Sequence, residues 1–434
     1  MAFNEEQFKE ILSEFTIGGE RLHEIAANFR QDLRLGLRDV TLSSMRMLKS
    51  YVGLPSGNEK GDYLALDFGG TNIRVFRIRL EGGGKYEIIK RVGRPLIVPG
   101  EYNYISKDAT AEQMFDFIAE LVDEAIDGDH QTKYYLGHTF SFPSTQDNIH
   151  NARLIIWTKE FATQGVEGEV ANDLLVAALK RRGAGNVEPV AVLNDTVAVL
   201  LSAAYKTPDT FIGSIYATGH NTCYLEPSIH DPNGFGSGGM ILNLECGNFS
   251  KLAPNRFDKE YDEGSEKPGE QRFEKMVSGR YMGELFGMAI AELLGEKGKQ
   301  YNLTSVDMSM IMLDDSEKLT KASDIIMAKV GRELDFEDVA KVKKLAETIV
   351  IRSARLVAAS FVALVWQRAG SGKIVKQHVA VDGSVYEKMP HAKENITKAL
   401  SELLGEDAAN VDTILDNGGS GLGAAIAAAM AKSN

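Results

Sequence analysis

The apolar positions of the 434-residue chain change their period several times, and the changes mark its organisation. Phe8, Ile11, Leu12 and Phe15 recur at helical spacing, and Leu22, Ile25, Ala26, Phe29 and Leu33 resume it after Gly18-Gly19, predicting two packing helices. A loop rich in breakers at 54–62 follows, and a boundary is placed at 61/62. From Tyr63 the pattern turns strand-like: an apolar run to Asp67-Phe68, then Gly69-Gly70, Thr71-Asn72 and strict alternation to Leu80. Helical period returns at 112–127, with Met114, Phe117, Ile118, Leu121, Val122, Ala125 and Ile126 on one face. Residues 136–143 read as a strand stopped by Pro143, with polar Ser141 in an aromatic run. The β-branched run 189–193 reads as a buried strand ending in Asn194-Asp195, and 196–205 as an apolar helix.

The second half repeats the strand–turn–strand design. Residues 211–226 form a hairpin pattern around Ala217-Thr218-Gly219-His220-Asn221, and an apolar strand over 240–249 carries Glu245 at its end. A helix is predicted to open at Gln271-Arg272-Phe273-Glu274 and run on through Ser278 to Leu285. A long apolar helix covers 343–367, a strand over 375–385 leads to Asp382-Gly383-Ser384, and a third glycine-rich turn, 417–423, enters an alanine-rich C-terminal helix.

With 44% hydrophobic residues the chain can bury a large core, and its length favours two or three domains. The net charge of −13, without a long basic run, argues against nucleic-acid binding. Two cysteines, Cys223 and Cys246, supply neither a disulfide framework nor a four-cysteine zinc site, which fits a reducing compartment. The first residues lack the basic and apolar regions of a signal peptide, and the apolar stretches 356–366 and 421–431 fall short of the ~20 residues of a bilayer-spanning helix. A soluble cytoplasmic protein is expected.

The chemistry-bearing residues each have two readings. Asp195 stands beyond the carboxyl end of a buried strand, where open α/β sheets bind ligands, and is a candidate general base; the competing reading is an Asn-Asp helix cap. At Gly69-Gly70 the glycines lead into a strand rather than a helix and no lysine follows, which disfavours a Walker loop. A phosphate-binding hairpin fits instead: backbone N–H groups with Thr71 and Asn72 donate, and Asp67 holds magnesium through water. The competing reading is an ordinary Gly-Gly hairpin. Two such turns far apart suggest a duplicated core gripping a nucleotide. His220 has no second ligand at metal spacing and is read as a turn residue. Ser141 could be satisfied by backbone, Lys159 could snorkel, and a lone Glu245 or Glu274 is more often a surface or helix-terminal charge.

Taken together, LALDFGGTNIRV (64–75), TFSFPSTQ (139–146), WTKEF (157–161), VLNDTV (192–197), ATGHNTCY (217–224), LECGNF (244–249), FEKMVSGRYMGEL (273–285), VDGSVYEKMP (381–390) and GSGLGAA (419–425) resemble the eukaryotic-type hexokinase family, in family order over roughly 29 to 430. The first 25 residues lie outside the resemblance. It implies an α/β, two-domain actin-like ATPase fold of the ribonuclease H-like type, with a sugar cleft between a small and a large domain: 1–61 as a helical segment on the large domain, 62–194 small, 195–414 large, and 415–434 returning to the small domain. It also implies ATP-dependent transfer to the 6-hydroxyl of a hexose, glucose foremost, with Asp195 as base and Lys159 assisting. Sugar hydroxyls would be held by Ser141, Thr158, Lys159, Asn194, Asp195, Asn221, Glu245 and Glu274. Asp67, Gly69, Gly70, Thr71, Asn72, Arg74, Thr218 and Gly219 would face the phosphates and Mg2+, and Gly383, Ser384, Gly419 and Ser420 the nucleoside. The implied partners are hexose and ATP, with no nucleic acid or membrane, in a monomer or homodimer.

The set is chemically coherent, since transfer to a primary alcohol calls for a carboxylate to take the hydroxyl proton, and acids and amides suit a polyol. The chain departs from the family at Ala217, where glycine is usual and a different nucleotide affinity is expected, at Ala198 and Cys246, and in lacking a proline near 47–51. A non-catalytic sugar sensor would be expected to lose the base or a phosphate-loop residue, and Asp195, Lys159, Thr71 and Thr218 are all present. An Hsp70- or actin-like ATPase would have no use for Glu245 with Glu274, and the bacterial glucokinase group typically carries a cysteine-rich zinc motif.

Overall fold

The computed structural model describes residues 3–158, 160–230 and 235–432. They pack as two compact units, one comprising Met1–Met47, Ile215–Thr222 and Leu244–Leu415, the other Leu48–Ser214, Cys223–Asn243 and Asp416–Asn434. The chain thus changes unit at 47/48, 214/215, 222/223, 243/244 and 415/416, not at 61/62 and 194/195.

The second unit is built on a five-stranded sheet in the order Val187–Leu193, Tyr134–Phe140, Lys60–Phe68, Asn72–Gly82, Lys85–Pro95. The first three strands run parallel and the last two are added antiparallel. Lys60–Phe68 lies at the centre and its side chains alternate between two cores. Leu64 and Leu66 enter a core shared with the helices Ala111–Ala125 and Ala171–Arg182. Tyr63 and Ala65 enter one shared with the helices Asp195–Lys206 and Gly419–Lys432. The helix Ala111–Ala125 begins where the Thr110–Gln113 capping box satisfies its first N–H groups.

Small residues bring the C-terminal helix onto the sheet. A methyl at Gly137 would overlap the Ala424 carbonyl, one at Gly423 would overlap the Ala198 carbonyl, and one at Gly421 would come within 2.9 Å of the Phe76 ring. Gly419, Gly421 and Gly423 thus have a packing role, whereas Gly418, at φ +74°, has open space beside it.

The first unit is largely helical. Helices Glu5–Glu14 and Gly19–Arg38 form on either side of Gly18, as their periodicity predicts, and Phe15 stacks on Phe257 at 5.1 Å. The helix Phe336–Ala369 runs 34 residues, longer than the expected 343–367, because Asp335 caps it further upstream. It is long and apolar enough to cross a membrane by length and composition, and 83% of its most apolar window is buried in the protein. Arg352 on this helix forms a fully buried, bidentate pair with Asp258 at 2.8 and 2.9 Å. Gln377–Asp382 and Val411–Leu415 pair in parallel.

The helix expected to run through Ser278 is two helices, Arg272–Val277 and Gly279–Leu293. Ser278 is extended at the break (φ −79°, ψ 158°), and the Gly279 N–H donates to the Ala217 carbonyl at 2.8 Å instead of continuing the first helix.

Candidate active site

In the sheet unit, Asp67 is the penultimate residue of its strand, opposite Arg74 on one neighbour and Thr139 on the other. Its Oδ2 accepts from Arg74 Nη1 at 3.2 Å and its Oδ1 from Thr139 Oγ1 at 3.1 Å. The turn beyond it is Gly69-Gly70-Thr71, and Leu96 N–H donates to the Thr71 carbonyl at 2.7 Å, fixing the start of the return strand at Asn72. A methyl on Gly69 would lie 3.2 Å from Ser141 Oγ, whereas one on Gly70 would project into open space. Neither glycine has a positive φ. The turn presents bare backbone beside a carboxylate and a guanidinium, an arrangement of N–H donors and charges that could hold an anion together with a cation.

Strand Val187–Leu193 delivers Asn194 and Asp195 side by side and half-buried. Asn194 caps the helix Asp195–Lys206, its Oδ1 accepting from Thr196 N–H at 3.0 Å and from the Thr196 hydroxyl at 2.7 Å. Asp195 Oδ1 also accepts from Thr196 N–H, at 2.8 Å. The capping role therefore falls to Asn194, and Asp195 is the first helical residue, its carboxylate held at the amino end of the dipole.

The loop at 157–161 hangs from an aromatic cluster. Trp157 meets Phe142 at 4.8 Å and Phe161 at 5.0 Å, and Phe68, next to the glycine turn, joins the same cluster. Trp157 Nε1 donates to the Thr163 carbonyl at 2.9 Å, and Thr158 is half-buried with its carbonyl accepting from Phe161 N–H. Lys159 lies outside the described residues.

In the helical unit the turn after Tyr216 closes through an Ala217 N–H to Gly219 carbonyl bond of 2.9 Å, and the Thr218 carbonyl accepts from Arg280 N–H at 3.1 Å. Ala217 has no positive φ, so alanine fits here without strain. Asn221 Nδ2 donates to Glu245 Oε1 at 3.2 Å, and His220 N–H donates to Glu274 Oε2 at 2.9 Å. Both acids are thus fastened around one turn. Glu245 lies two residues past the strand Met240–Asn243 in the left-handed region (φ 50°), not at the strand end as its sequence position suggests. Gly383, at φ +129°, backs onto the Tyr216 carbonyl so closely that any side chain would overlap it; Ser384 is exposed at the start of a short helix. Gly419 is buried against Asp416, which pairs with Lys206, and Ser420 is half-buried beside it.

Burial tunes two groups here. His220 is held down to about 4 and is neutral near pH 7, its Nδ1 3.0 Å from the Ile215 carbonyl. Burial pushes the Cys246 thiol up to about 12, so it is inert packing beside Glu245.

Two residues of this constellation escaped sequence reading. Thr139 resembles any strand threonine until its register with Asp67 is known. Gln271, three residues before Glu274, takes a left-handed conformation (φ 53°), and its amide lies so close to Gly247 that any side chain there would collide with it. Its spacing from Glu274 was the one available signal.

The chain is similar to known proteins over most of its length. Family models described as hexokinase match residues 7–205 and 211–430, so the similarity begins well before residue 29, correcting the expectation that the first 25 residues lie outside it. The chain is 35% identical over 452 residues to Hexokinase-1 of Schizosaccharomyces pombe, covering 98% of this chain and 91% of that one. It spans 48% of the length of the rat and human relatives it matches. A crystal structure of a hexokinase superposes with TM-score 0.87 at 33% identity, covering 98% of this chain and 99% of that one. The Schistosoma mansoni hexokinase complexed with glucose gives 0.80 at 31%, with the same coverage. The two-unit α/β fold is that of these crystal structures, and the chain belongs to the hexokinase family of sugar-phosphorylating enzymes.

Proposed function

We propose that the chain transfers the γ-phosphoryl group of Mg-ATP to the 6-hydroxyl of a hexose, glucose first among them, with Asp195 as general base. The observation that carries this reading is the division of labour at the end of strand Val187–Leu193. Asn194 satisfies the helix start, and the Asp195 carboxylate stands half-buried with one oxygen anchored to Thr196 N–H. A primary alcohol is a poor nucleophile at neutral pH, and a positioned carboxylate takes its proton as the new O–P bond forms. That a similar solved structure is described as complexed with glucose supports the choice of sugar.

Asn194, Asn221, Glu245 and Glu274, with Ser141, Thr158 and Lys159, are assigned to the hexose. Carboxylates accept from two hydroxyls each, and an unpaired buried acceptor penalises the wrong stereoisomer. Asp67, Gly69, Gly70, Thr71, Asn72, Arg74, Thr218 and Gly219 are assigned to the phosphates. There the bound magnesium supplies charge neutralisation, and the chain's own N–H and hydroxyl donors orient the oxygens. Gly383, Ser384 and Ser420 are assigned to the nucleoside; Gly419 sits beside it as packing. A cytoplasmic setting belongs to the same proposal, supported by a chain that carries only two cysteines, both buried.

The test is ADP release from Mg-ATP with and without glucose, mannose, fructose and glucosamine, for the native chain and Asp195→Ala. Release is expected to depend strongly on sugar, and Asp195→Ala to lose it almost completely while still binding glucose. Wild-type turnover in that variant would remove Asp195 from the role of base.

A further inference from the structure

The carboxylate of Asp67 is gripped from both sides of its strand by two partners of different character. Thr139 Oγ1 is 3.1 Å from Oδ1 and 3.3 Å from the Leu66 carbonyl. A hydroxyl has one proton to give, and of two acceptors the nearer and charged one takes it. Thr139 is fully buried, β-branched and fixed in a strand between two neighbours, so its hydroxyl has little freedom to turn away. Arg74 Nη1 is 3.2 Å from Oδ2, but the Arg74 side chain is 43% exposed and ends a flexible stem. One partner is permanent and the other exchangeable.

We propose that Thr139 is a positioning residue for the metal-bound nucleotide. By holding Oδ1 it fixes the rotation of the Asp67 carboxylate, so that Oδ2 is the oxygen presented to magnesium-bound water and Arg74 the partner that gives way to become a phosphate ligand. Thr139 touches neither nucleotide nor sugar; its effect passes through Asp67 alone. The proposal rests on the reading of Asp67 as the residue facing magnesium.

Titration calorimetry with Mg-ADP tests it on the native chain, Thr139→Val, Thr139→Ser, Asp67→Asn and the Asp67→Asn/Thr139→Val double variant, with glucose titrated separately into each. Valine keeps the shape of threonine and removes the donor. Thr139→Val is expected to weaken Mg-ADP by about tenfold, the scale of a lost hydrogen bond to a charged group, and to leave glucose affinity unchanged. Serine should restore binding, and valine should add nothing in the Asp67→Asn background. Native Mg-ADP affinity in Thr139→Val beside a weakened Asp67→Asn would overturn the positioning role. Weakening of glucose and Mg-ADP alike would also overturn it, by showing a general disturbance of the unit. Native affinity in Asp67→Asn would instead remove Asp67 from the magnesium site, and the proposal with it.

Discussion

At the scale of single residues, polar groups at the same apparent depth have different fates according to what the sheet register sets beside them. Thr139 and His138 are adjacent on one strand and both fully buried. Thr139 meets a carboxylate, whereas the His138 ring lies near-parallel to Phe68 (6.0 Å, 8°) and beside Phe140. Burial lowers the His138 pKa from 6.5 to about 3, so the folded chain holds it neutral. The unfolded chain binds this proton near pH 6.5 and the folded one only near 3, so stability is complete above pH 6.5 and falls as pH drops through that window. His220, lowered to about 4, acts with the same sign. His138→Leu is therefore expected to melt with a shallower dependence on pH between 6.5 and 4 than the native chain; equal slopes in thermal melts across that range would show that His138 is not the group responsible.

At the scale of elements, the C-terminal helix shows a glycine pattern that serves packing as well as the turn before it. Before the structure, Gly418-Gly419-Ser420-Gly421 resembles a ligand turn; in the fold, Gly421 and Gly423 are the contact face of the helix Gly419–Lys432 against Phe76 and the Ala198 carbonyl. Only Gly418, at φ +74°, needs its glycine for backbone conformation. Gly423→Ala would insert a methyl into a carbonyl that belongs to another helix backbone and cannot rotate aside. Overpacking of this kind costs about 1–3 kcal/mol, read as a lower urea midpoint with unchanged slope. A midpoint equal to that of the native chain would mean that the two helices separate more readily than their packing indicates. The split at Ser278 makes the complementary point: helical periodicity carried through the break, and the Ala217 carbonyl decided it.

At the scale of the whole molecule, neither unit is a continuous segment. The two family segments, 7–205 and 211–430, therefore correspond to neither unit. A fragment of residues 7–205 would carry the five-stranded sheet without Ile241, Leu422, Ile426 or Met430, which complete one of its two cores. It is expected to lack a cooperative melt and near-ultraviolet dichroism alone, and to regain both when co-expressed with 206–434; a cooperative melt of the fragment by itself would show that the second core is dispensable. The sequence by itself determined the element types, the glycine turn after Asp67, the Asn194-Asp195 pair and the family, because hydrophobic period and turn chemistry are local and motif order survives in the chain. Only the tertiary structure decided that Asn194 caps the helix and leaves Asp195 to other work, that Thr139 and Arg74 share one carboxylate, that Glu245 and Glu274 are fastened to one turn, and where the chain passes between units. The Asn194 cap is local, but an Asn-Asp pair leaves open which of the two residues caps; the other facts depend on strand register and on contacts that the hydrophobic period of the chain does not encode.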